Sequence, residues 1–140
     1  YHRDWIEASL RRAKIVKLNE DEVATLSGVL EILNGDLGGF ASELDRRYGV
    51  NTVCVTQGER GCVVLDQGRQ VSVPGVKVQV ADAVGAGDAV PAALIATQLQ
   101  GWQLDRSASY ANRVGALVAS RPGAMPTIRD EIRELRRSFE

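Results

Sequence analysis

The hydrophobic period of this chain changes partway along, and that change constrains the fold more than any other feature. From Thr52 the apolar residues come in β-rich runs, Thr-Val-Cys-Val-Thr56 and Cys62-Val-Val-Leu65, separated by Gln57-Gly-Glu-Arg-Gly61. Such runs around a glycine-bearing break read as a hairpin. A third strand from Gln70 to Val73 stops at Pro74-Gly75, and Val76 to Val80 supplies a fourth. On either side, apolar residues recur at helical spacing. Strands alternating with helices argue for a layered α/β/α fold with a mixed sheet, antiparallel around the hairpin.

The helical segments carry their own start and stop signals. Trp5, Ile6, Ser9 and Leu10 mark a short amphipathic helix ahead of the apolar strand Lys14–Leu18. Asn19 suits the N-cap of Glu20-Asp-Glu-Val-Ala-Thr-Leu26, with acids in the first turn where the helix dipole favours them. Gly38-Gly39 precede a helix from about Phe40 to Tyr48, which Gly49 ends. Further helices run from about Gly85 to Gly101 and from Leu104 to Ser120. Pro122-Gly123 and Pro126 break the chain before a polar helix from Arg129. No repeat or long linker interrupts this order, so one folding unit is expected.

Composition removes several functional classes. Over 140 residues, 17 Lys+Arg against 18 Asp+Glu leave a net charge of -1, so no basic excess recruits nucleic acid or an anionic membrane. The longest apolar stretch, Ala89 to Ala96, is less than half a membrane span. His2 is the only histidine, which excludes a His-dependent triad or a multi-histidine metal site within the chain. Cys54 and Cys62 have neither metal nor redox spacing and read as small buried hydrophobes of a cytoplasmic protein.

The chemistry concentrates in Val80-Ala-Asp82-Ala-Val84-Gly85-Ala86-Gly87-Asp88-Ala-Val90-Pro91. A strand ends, a glycine-rich turn follows, and a helix begins with Pro91 in its early turns, where proline is tolerated. Such a turn offers unpaired N–H groups at the positive end of a helix dipole, and only small residues let an anion approach them. Asp88, at the same helix start, would repel phosphate unless a metal intervenes or it takes a proton. A plain glycine turn capped by Asp88 is the simpler reading. The dinucleotide fingerprint Gly-x-Gly-x-x-Gly fits only its first two glycines, its third position being Val90. No Walker A loop occurs.

Four elements, taken in order, resemble the ribokinase-like sugar kinases, a family that includes fructokinases, ribokinases, adenosine kinases and 2-keto-3-deoxygluconate kinases. Asn19-Glu-Asp-Glu22 resembles the family's Asn-x-x-Glu element, and Thr56-Gln-Gly58-Glu-Arg-Gly61 its Thr-x-Gly-x-x-Gly hairpin. Asp82-Ala-Val-Gly85-Ala-Gly87-Asp88 is similar to its Asp-Thr-x-Gly-Ala-Gly-Asp signature. Ala111-Asn112 and Ser120-Arg-Pro-Gly-Ala124 resemble its last nucleotide-side helix and loop.

The resemblance implies roles. Asp88 would be the general base on the acceptor hydroxyl, and the N–H groups of Gly85, Ala86 and Gly87 would form an anion hole for the transferred phosphoryl group. Thr56, Gly58 and Gly61 would lie against the ATP phosphates, with Asn112 on the adenine side. Asn19 and Glu22 would hold Mg²⁺ through water, and backbone oxygens of Asp82 and Val84 would lie beside a monovalent cation such as K⁺. Ala83 stands where the family has Thr, and Val90 where Phe is common; reduced packing is expected there. The family's long N-terminal part, with its sugar site and lid, has no counterpart in the sequence. Residues 1–140 are therefore expected to be a nucleotide-binding C-terminal portion, of fructokinase type, acting on ATP and a small sugar and associating as a homodimer. The competing expectation is a nucleotide-binding or regulatory module without catalysis of its own.

Overall fold

Strand β1 (Ile15–Asn19) pairs in parallel with β2 (Thr52–Thr56), Ile15 lying opposite Thr52 and Asn19 opposite Thr56. A parallel pair needs a crossover of a dozen residues or more, and two helices provide it here: α2 (Glu20–Leu30) and α3 (Leu37–Tyr48). The computed structural model describes residues 2–33, 35–81, 85–122 and 127–140. They form two units, Tyr1–Gln57 with Val63–Ser72, and Gly58–Cys62 with Val73–Glu140.

In the first unit, a sheet of order β1-β2-β3-β4 is completed by β3 (Gly61–Asp66) and β4 (Arg69–Pro74), whose ends reach into the second. Only Gln57–Arg60 separate β2 from β3, too short a link for a crossover, so that pair is antiparallel. Gln67 and Gly68, at φ 47° and 84°, make the mirror-image two-residue turn that joins β3 to β4. The sheet is therefore mixed. Thr52 to Val55 are all buried, as in an interior strand covered on both faces, whereas β4 is mostly exposed as an edge.

The core of this unit gathers Leu30, Phe40, Leu44, Val53 and Val55, each at most 1% exposed. Truncating Leu44 to Ala would cost about 2–5 kcal/mol through lost transfer energy and the cavity left behind. Helix α1 (Arg3–Leu10) lies against α3, where the Tyr48 hydroxyl donates to Glu7 Oε1 at 3.2 Å. Gly49 ends α3 in the left-handed conformation, φ 73°, as expected from its place in the sequence.

The second unit is helical. Helix α4 (Ala86–Leu99) packs on α5 (Leu104–Ala119), and a Cβ on Gly115 would meet the Val90 side chain, so the helices approach closely at this glycine. Val90 is 7% exposed, with Gly115 of the partner helix against its side chain. Helix α6 (Arg129–Arg137) buries none of its residues. It is held from its ends: Ile128 is buried, and Phe139 joins Trp102 and Tyr110 in an aromatic cluster. Arg106 lies 4.2 Å over the Trp102 ring and donates to the Phe139 carbonyl.

Two expectations are corrected. Gly38 and Gly39 lie inside α3 rather than before it, because Asp36 is the N-cap and its Oδ1 accepts from Gly39 N–H at 2.6 Å. In the first turn the cap offsets what glycine costs. Residues 76–80 form no strand, and Val76, Val78 and Val80 are all exposed; alternation makes a strand only where a neighbour supplies the ladder. Among the described residues, no helix is long and apolar enough to cross a membrane.

Candidate functional site

Parallel register brings Asn19 and Thr56 side by side at the carboxyl ends of β1 and β2, the edge where open α/β sheets bind ligands. The strand-to-helix turn there is closed by a capping box. Asn19 Oδ1 accepts from Glu22 N–H, and Glu22 Oε2 accepts from Asn19 N–H, both at 2.7 Å. Thr56 Oγ1 donates to the Leu18 carbonyl at 3.4 Å, and Gln57 Nε2 to Glu20 Oε1 at 3.2 Å. Asn19 and Glu22, the expected metal-holding pair, thus meet each other, and the task observed for them is structural. The box occupies Glu22 Oε2. Hard oxygen donors of this kind, at a strand end, fit a hydrated Mg²⁺. Among the described residues, no group of three or more His, Cys, Asp or Glu could hold a metal alone.

Within the second unit, Gly58–Arg60 form a single 3-10 turn, with Gly58 at φ 57° and Gly61 at φ 103°. Glycine is the residue that occupies such angles at little cost. The sequence located this turn, but its tight fit against Pro74-Gly75 escaped sequence reasoning. A Cβ on Gly75 would run into the Glu59 carbonyl, and one on Gly61 into the Val73 carbonyl. The only local signal for it is the Pro74-Gly75 pair, which by itself marks a strand stop. Asn112, part-buried on α5, donates from Nδ2 to the Pro74 carbonyl at 3.0 Å.

Helix α4 begins differently from α2. Its N-cap is Gly85, in the left-handed region at φ 88° and ψ −21°, and no side chain among the described residues caps it. The Gly85 carbonyl accepts from Asp88 N–H at 3.2 Å and Ala89 N–H at 3.0 Å. The N–H groups of Ala86 and Gly87 have no partner among the described residues. Asp88 stands exposed in this first turn. Pro91 lies past the first turn, so it withholds the N–H that would bond the Gly87 carbonyl in a regular helix. An uncapped amide pair beside an exposed carboxylate can receive an anion and a proton in one place. Asp82 and Val84, expected near a monovalent cation, lie outside the described residues, as do Ala83, where reduced packing is expected, and Gly123 and Ala124 of the final loop.

Charge elsewhere is arranged for structure. The Arg3 guanidinium holds the Glu7 carboxyl below its ordinary range, and Arg46 does the same for Glu43, while burial raises the Tyr110 phenol. Cys54 and Cys62 are buried, as expected. A cavity of about 180 Å³ in the first unit, between α3 and the Gln67-Gly68 turn, contains none of the expected site residues.

The family is defined by comparison with known proteins. The pattern of the pfkB family carbohydrate kinases matches residues 2–131. The chain belongs to that family. It is 36% identical over 122 residues to the ATP-dependent ribose-1-phosphate kinase of Halopiger xanaduensis, covering 87% of this chain and 38% of that protein. Fructokinase-2 of Zea mays is 28% identical over 134 residues, covering 90% of this chain and 38% of that protein. Among solved structures, a ribokinase II-type protein of Escherichia coli, in complex with ATP and Mg²⁺, superposes with a TM-score of 0.81 at 28% identity. That match covers 97% of this chain and 43% of the other. The fold is ribokinase-like, and the chain spans about two-fifths of the length of these relatives. Family membership sets the dinucleotide reading aside.

Proposed function

We propose that this chain is the nucleotide-binding, C-terminal portion of an ATP-dependent sugar kinase of fructokinase type, working in the cytoplasm. The observation that carries the proposal is the start of α4, where the Ala86 and Gly87 amides have no partner among the described residues and Asp88 stands exposed in the same turn. The fructokinase subtype draws support from the Zea mays relative.

In this reading Asp88 accepts the proton of the sugar hydroxyl as that oxygen attacks the γ-phosphate. The amides of Gly85, Ala86 and Gly87 donate to the phosphoryl oxygens as charge builds on them, worth about 2.7–4 kcal/mol per donor where such holes have been dissected. Thr56, Gly58 and Gly61 bring a tight turn against the nucleotide phosphates. Asn19 and Glu22 hold Mg²⁺ through water, and the ion offsets phosphate charge when bound. Backbone oxygens at Asp82 and Val84 are assigned to K⁺.

Calorimetric titration of the chain with Mg·ATP, beside a coupled phosphorylation assay of the full-length enzyme, tests this. Binding by the chain with turnover only in the longer protein is expected; absence of Mg·ATP binding would remove the proposal. A nucleotide-binding module without catalysis of its own is the second reading, since amides at a helix start serve phosphate binding whether or not transfer follows. It predicts binding with no turnover in either form.

A further inference from the structure

Asn112 is the residue that resemblance places at adenine, yet what its side chain holds here is backbone. Its Nδ2 donates to the Pro74 carbonyl at 3.0 Å. The next residue, Gly75, is so close to the 3-10 turn that a Cβ would run into the Glu59 carbonyl and come within 3.2 Å of the Arg60 carbonyl carbon. In the reverse direction, a Cβ on Gly61 would run into the Val73 carbonyl and lie 2.7 Å from Gly75 N. All of these neighbours are backbone atoms, which cannot swing away as a flexible side chain can. The turn Gly58–Gly61 and the segment 73–75 are therefore in reciprocal backbone contact, and the Asn112 carboxamide ties that segment to α5.

We infer that Asn112 is a positioning residue. By holding Pro74–Gly75 it fixes the turn Gly58–Gly61, and so the seat of the triphosphate rather than the base. The nucleotide part of this inference rests on the proposed function; the mechanical link between Asn112 and the turn does not. The two roles separate by base dependence. A side chain on adenine discriminates between nucleotides, whereas one acting through the turn acts on phosphates common to all of them.

The test uses the chain with Asn112→Ala, Asn112→Asp and Gly75→Ala. Hydrogen exchange at the amides of residues 58–61 is read first, without nucleotide. Exchange faster by about fivefold is expected in both Asn112 variants, the factor that one net hydrogen bond supplies. Gly75→Ala should exceed it, because the turn must move to admit the methyl. Unchanged exchange in both Asn112 variants overturns the inference, even if Gly75→Ala does not fold. Dissociation constants for Mg·ATP and Mg·GTP follow. Both should rise by the same factor of about five in the Asn112 variants. A loss confined to ATP would overturn the inference by returning Asn112 to the base. Recovery by Asn112→Asp, which keeps the size but loses the donor, would overturn it in favour of packing. If the unmodified chain binds neither nucleotide, the proposed function fails while the exchange measurement still decides the link.

Discussion

The two helices that begin at candidate site residues solve the same problem in opposite ways. Each helix start has N–H groups with no intrahelical partner. At α2 the sequence supplies a full reciprocal cap, Asn19 and Glu22 each accepting from the other's backbone. At α4 the N-cap is a glycine with no side chain to offer, and the Ala86 and Gly87 amides have no described partner. A protein optimised only for stability would cap both, since a good N-cap is worth about 1 kcal/mol. The difference separates a start closed by its own side chains from one that, in the proposed function, would receive an incoming anion.

The largest effect that could break this comparison is at Asp88. In the proposed longer kinase Asp88→Asn should lower kcat by about 10²–10⁴-fold, the range of a general base, with ATP affinity little changed. Near-normal turnover would remove the assignment and leave α4 as an uncapped helix without catalytic purpose. Next is Gly85→Ala. A Cβ at φ 88° costs about 1–2 kcal/mol, and the methyl narrows the anion approach, so both the thermal midpoint and Mg·ATP affinity should fall together. A variant that loses stability but binds Mg·ATP normally would show that the turn is structural only.

Asn19→Ala sharpens the other side. Losing the cap should destabilise the chain by about 1 kcal/mol in urea titration, with or without nucleotide. The smallest stability effect belongs to Glu22→Gln. Glutamine also closes a capping box, so the urea midpoint should move little while the Mg²⁺ requirement for nucleotide binding rises. An unchanged Mg²⁺ requirement would leave Glu22 as a cap and nothing else.

Much of this site was legible before any coordinates. Asn19 was readable as a cap because side-chain oxygen, acidic first turn and preceding strand are all local. Gly49 was readable as a helix stop for the same reason. The mixed sheet followed from the hairpin, whose short link permits only antiparallel pairing. What escaped was non-local. The strand read at Val76–Val80 has the right alternation, but alternation does not supply a neighbour. Gly38 and Gly39 are the one local exception, since Asp36 caps Gly39 from three residues away and so draws both glycines into α3. At Gly75 and Gly115 the sequence carries no sign of close contact, since the backbone and side chain they admit lie far away in sequence.

The sequence by itself determined that this is an α/β chain, that Asn19 starts one helix and Gly49 ends another, and that its glycine-rich turn leads into a helix bearing Asp88. Those properties depend on residues within a turn or two of one another. Tertiary structure decided that Asn19 lies beside Thr56, that Val90 is seated against Gly115, and that Asn112 reaches Pro74. Each of those depends on two segments approaching to contact distance, and that distance is set by packing of the whole fold rather than by local preference.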